Sequence, residues 1–116
     1  MTETIERDPK TEKIAELNDL CRTAMGVTGK VVMTQGIAAM DAADRSRIRE
    51  KVELFNDFNE DNDPHGERDF GEFTHADEKI FWKIDYYDVR MQYGSEDPSD
   101  PSQTTRVLTI MLAGEY

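Results

Sequence analysis

Apolar residues recur along this chain in two periods, and the change from one period to the other separates its elements. Ile14, Leu17, Leu20, Cys21, Ala24 and Met25 follow helical spacing, with Glu12, Lys13, Glu16 and Asp19 on the other side. Asp8 before Pro9 supplies an N-cap and a proline in the first turn, and Gly26 a C-terminal stop, so a helix of about four turns is predicted there. Thr28-Gly29 reads as a turn, and Lys30 to Thr34 as a short strand ended by Gly36. Asp41-Ala42-Ala43-Asp44 resembles a capping arrangement for a second helix, with Asp in place of the preferred Glu or Gln. That helix buries Ile48, Val52 and Phe55, with Leu54 at the edge of the stripe, and carries Arg45, Arg47, Arg49 and Lys51, partly offset by Glu50 and Glu53.

From Phe70 onward the period is two. Phe70 and Phe73 lead into a turn at His75-Ala76-Asp77-Glu78, and Lys79 to Tyr87 returns. Ile80, Trp82, Ile84 and Tyr86 then share the core face, opposite Phe81, Lys83, Asp85 and Tyr87. Pro98 and Pro101 exclude a helix between Gly94 and Ser102. Arg106 to Leu112 is apolar on both faces, Leu108, Ile110 and Leu112 against Val107 and Met111, which predicts a central strand. The order α-β-α-β-β-β predicts an α+β fold, two helices packed on one face of a small, mainly antiparallel β-sheet. At 116 residues one domain, 1–116, is expected, with residues 1–8 frayed. Its core is predicted to gather Trp82, Ile84, Leu108 and Ile110 against Leu17 and Val52.

Charge sharpens this picture. The net charge is −11, of which residues 57–116 carry −10, with fifteen Asp or Glu against five Lys or Arg. Such a field repels nucleic-acid phosphates and anionic membranes and attracts a basic surface. Cys21 is the only cysteine, so no intrachain disulfide or cysteine-based zinc site is available. The N-terminus lacks the basic and apolar segments of a secretory signal, and no apolar run spans a bilayer, so a cytoplasmic protein is expected.

Catalytic and ligand motifs are sparse. Asp61 to Glu72 matches a calcium loop in part, with oxygen donors at positions 1, 3, 9 and 12 and Gly66 at the sharp turn. His65 stands where an oxygen ligand is wanted, and Gly71-Glu72 enters a strand, so a solvated loop is the expectation. His65 and His75 with Asp61, Asp63, Asp69 and Asp77 form the competing reading, a small metal-dependent protein or enzyme; their spacing does not place both on one metal. Cys21 beside the apolar stripe reads as a buried, inert thiol. No Gly-x-Ser-x-Gly and no phosphate-cradling glycine loop occurs, and no catalytic residue, metal ligand or cofactor is assigned.

Asp85-Tyr86-Tyr87-Asp88 sets aromatics among carboxylates, a combination that suits Arg or Lys recognition. Glu96, Asp97 and Asp100 lie on a proline-stiffened loop. Asp85, Tyr87, Asp88, Glu96, Asp97 and Asp100 are therefore the candidate partner-binding residues. The partner class is a basic protein surface, in the sharper form that of a nucleic-acid-binding protein whose groove the acidic half occupies as a mimic. A blander alternative is a structural or dimeric domain whose acidity serves solubility.

Asp61-Asn62-Asp63-Pro64, Asp69-Phe70-Gly71, Ile80 to Tyr87, Gly94 to Pro98 and Arg106 to Leu112 also resemble a family of short acidic bacterial proteins, a domain of unknown function of alphaproteobacteria often encoded near plasmid or conjugation genes. The resemblance covers nearly the whole chain. It implies a bacterial, cytoplasmic protein linked to mobile DNA, and no activity, ligand or site residue.

Overall fold

A computed structural model describes residues 8–116. The fraying expected of residues 1–8 falls, Asp8 apart, outside the described residues. Asp8 caps α1, Pro9–Thr23, its carboxylate accepting the Lys10 N–H at 3.0 Å, with proline in the first turn. Then follow β1 (Lys30–Met33), α2 (Gln35–Ala38), α3 (Ala42–Glu53), β2 (Phe70–His75), β3 (Glu78–Tyr87), β4 (Thr105–Leu112) and a 3-10 turn, Ala113–Glu115. The fold is α+β.

The sheet order is β1-β4-β3-β2, with β4 interior as its doubly apolar pattern requires. β2, β3 and β4 form an antiparallel meander, whereas β1 runs parallel to β4, Lys30 against Val107 and Met33 against Ile110. The β2–β3 turn is tight: Ala76 and Asp77 both have positive φ, 50° and 65°, the twist that a two-residue hairpin demands.

Ile80, Trp82 and Ile84 of β3 with Leu108 and Ile110 of β4 form one buried cluster with Cys21, Ile37, Ile48 and Val52. Phe55 and Phe58 meet Trp82 edge-on at 5.5 and 6.1 Å between ring centroids. Gly71 opposes Trp82 because nothing larger fits: a Cβ there would lie 2.4 Å from the indole Nε1 and 2.8 Å from Phe55.

Four expectations are corrected. Leu17 lies outside the core cluster and Leu20 is 48% exposed, because α1 turns Ile14, Ala15, Asn18, Cys21 and Arg22 inward. The two polar residues on that face, Asn18 and Arg22, are hydrogen-bonded to groups of other elements. The four-residue α2 was not anticipated; it buries Ile37 after the short β1. Asp41 makes no side-chain capping bond to α3, and Asp44 instead bonds His75 Nε2 at 2.9 Å. His75, expected as a simple turn residue, is a tie between hairpin and helix, since Lys51 Nζ also lies 3.2 Å from its Nδ1.

Candidate functional site

The six residues singled out from sequence occupy three settings. Asp85 and Tyr87 lie on the sheet face opposite Trp82, lining a shallow groove of about 390 Å³ with Thr34, Thr109, Met111 and Tyr116. Asp85 is bonded to Lys83 at 2.7 Å, and that bond raises the lysine pKa. Nearby, Lys79 and Glu72 pair at 4.0 Å, while Phe70, Phe81 and Tyr116 meet edge-on. Charge on the strands of this face is thus locally balanced.

Asp88 closes the start of the β3–β4 connection. Its Oδ1 accepts the Arg90 and Gln92 N–H groups at 3.1 and 3.0 Å, and its own N–H donates to the Tyr93 carbonyl at 2.8 Å. Glu96 lies in the same cleft as Asp88, lined also by Val89, Tyr93, Gly94 and Gln103. Asp97 and Asp100 brace the rest of the loop. The Ser99 hydroxyl and N–H donate to Asp97, and the Ser102 hydroxyl, Gln103 side chain and Ser102 N–H to Asp100. These bonds to the ionised form hold both carboxyls below the usual carboxylate range.

The second acidic loop, 57–69, is held in the same way. Asn59 Oδ1 accepts the Asp61 and Asn62 N–H groups at 2.8 and 3.0 Å, and Asp63 Oδ1 accepts Arg68 N–H at 3.0 Å. Gly66 takes the positive φ, 72°, that the sharp turn needs. His65 is exposed in a cleft with Asp8, Thr11, Glu60 and Asp63, whereas His75 has both ring nitrogens engaged by Asp44 and Lys51. Among the described residues, no group of three or more His, Cys, Asp or Glu is placed to hold a metal ion.

Sequence reading missed a buried polar network. Asn18 Nδ2 donates to the Glu67 carbonyl at 3.0 Å and to the Tyr86 hydroxyl at 2.8 Å, and Tyr86 donates onward to Glu67 Oε1 at 2.7 Å. Arg106 donates to Asn18 Oδ1 at 2.7 Å and to the Pro98 carbonyl, with its guanidinium 5.1 Å from the Tyr86 ring centroid. This network ties α1, both acidic loops and two strands together. Arg22 does similar work at the end of α3, donating to the Val52 and Glu53 carbonyls at 3.0 Å, where a cation suits the helix C-terminus. Burial pushes the Cys21 and Tyr86 pKa values up. Also missed were Val89, Met91 and Tyr93, exposed on the connection after β3; their alternation with Arg90 and Gln92 was the available signal.

These features define a small α+β domain with a mixed four-stranded sheet and two braced acidic loops. The family model described as "Protein of unknown function (DUF3768)" matches residues 33–115, and the chain belongs to that family. No curated protein and no solved structure matches the chain.

Proposed function

We propose that this chain is a non-enzymatic protein-binding module whose acidic loops dock on a basic protein surface. In the sharper form it occupies the groove of a nucleic-acid-binding protein as a mimic, in a bacterial cytoplasm and linked to mobile DNA. One observation carries the reading: the loops 57–69 and 88–104 adjoin the same end of the sheet, where β2 and β4 begin and β3 ends. Together they hold ten Asp or Glu against two Arg, a net of −8 out of −10 for residues 57–116. Gathering like charge at one end of a fold costs self-repulsion, which a basic partner relieves.

The test is affinity capture from bacterial lysate, repeated at raised salt and with duplex DNA as competitor. Asn or Gln at Asp57, Glu60, Asp61, Asp63, Glu96, Asp97 and Asp100 keeps the amide oxygens as loop acceptors and removes the charge. The expected result is a basic protein that salt and DNA displace and that the neutralised variant fails to retain. Capture that survives neutralisation, yet is lost when Arg45, Arg47 and Arg49 are reversed in charge, overturns the reading.

A further inference from the structure

Three of the exposed large apolar residues, Val89 (61%), Met91 (38%) and Tyr93 (74%), fall within five residues of one another on the β3–β4 connection. A loose polar loop would not need them, and this loop is not loose. Asp88 bonds the Arg90 and Gln92 N–H groups with its side chain, and its carbonyl accepts the Met91 N–H at 3.0 Å. Ser95 N–H returns to the Tyr86 carbonyl at 3.1 Å. Met91 is held at φ 60°, a conformation that a non-glycine residue keeps only when its surroundings enforce it. Apolar side chains displayed on a pre-ordered loop lose little entropy when a partner covers them.

The chemistry of the cleft beside them specifies what would enter. It has a volume of about 320 Å³, and Val89, Tyr93, Glu96 and Gln103 are among its lining residues. Among the described residues, no hydrogen bond or ion pair engages the exposed Glu96 carboxylate, in contrast to Asp88, Asp97 and Asp100. Gln103 donates its Nε2 to Asp100 at 2.7 Å, which leaves its Oε1 to accept. An aromatic face, an uncommitted carboxylate, a second oxygen acceptor and an aliphatic wall are complementary to a guanidinium on its alkyl stem.

We infer that this cleft receives an arginine side chain of a basic protein partner, with Tyr93 as the stacking wall and Glu96 as the counter-ion. The inference rests on the acidic-docking reading above and names its anchor.

The probe is a nona-arginine peptide titrated into the full chain at low salt, followed by amide chemical-shift mapping and calorimetry, with nona-lysine for comparison. Because Tyr93 and Glu96 are exposed, their variants keep the fold. The expected result is that the largest shifts fall on the amides of 89–96 and that nona-arginine binds more tightly than nona-lysine. Tyr93→Ala should weaken binding about fivefold, while Tyr93→Phe retains it. Glu96→Gln should weaken binding and lower its salt dependence. Shifts confined to 57–69 with Tyr93→Ala as tight as the parent, or nona-lysine binding equally well, overturn the cleft and leave acidic docking standing. No binding of either peptide at low salt overturns both.

Discussion

Asn18 and Arg106, 88 positions apart, meet at 2.7 Å inside the protein, the Arg106 Nε–H donating to Asn18 Oδ1. Both are essentially buried, at 0% and 3% exposure. Among the described residues no carboxylate forms an ion pair with Arg106; it is surrounded instead by the Asn18 oxygen, the Pro98 carbonyl and the Tyr86 ring. Asn18 in turn uses its Nδ2 on Tyr86 and Glu67, so its side chain is hydrogen-bonded at both ends.

Asn18→Leu removes that acceptor and leaves a buried guanidinium N–H without a partner. The expected loss is about 2–4 kcal/mol, more than an exposed polar substitution costs. Urea unfolding checks this; a loss below about 1 kcal/mol means that the network does not hold the loops.

Gly71→Ala places a methyl group against the Trp82 indole and Phe55, with rigid rings on both sides. An overpacking cost of about 1–3 kcal/mol is expected. Thermal or urea unfolding of Gly71→Ala beside Gly114→Ala, where a Cβ meets nothing within 4 Å, provides the comparison.

Alkaline pH should destabilise the fold. Burial raises the Cys21 and Tyr86 pKa values above their ordinary 9.0 and 10.0, so the folded state holds protons that the unfolded chain releases. Their contribution is complete below about pH 9 and is lost as pH climbs toward the folded values. Urea midpoints measured upward from about pH 8 should fall, less steeply in Cys21→Ala and Tyr86→Phe. A flat profile contradicts the burial of these groups in neutral form.

Glu115 latches the last turn to the start of α2. Its carboxylate accepts the Thr34 hydroxyl, the Leu112 N–H at 3.0 Å and the Gly36 N–H at 2.9 Å, which lowers its pKa. That support is present above the ordinary carboxylate pKa and is lost as pH falls through the lowered folded value. Glu115→Ala should speed hydrogen exchange at the Gly36 and Leu112 amides while the Ile84 amide stays protected; equal exchange in both proteins removes the latch.

What the amino-acid pattern determines here is local. Alternation of Ile80, Trp82 and Ile84 sets a strand's two faces, paired apolar faces put β4 inside the sheet, and Asp8-Pro9 starts a helix, because each depends on neighbours a few residues away. The acidic bias of residues 57–116 was equally visible. Its arrangement was not: only strand order and register bring loops 57–69 and 88–104 to one end of the sheet, and only the loop bonds separate bracing carboxylates such as Asp88, Asp97 and Asp100 from Glu96. The inward turn of α1 was likewise hidden, because a buried asparagine is stable only where partners from positions 67, 86 and 106 converge on it, and no spacing within the helix reports them. The parallel β1–β4 pair is a tertiary decision of the same kind, made by chain crossover rather than by the four residues of β1.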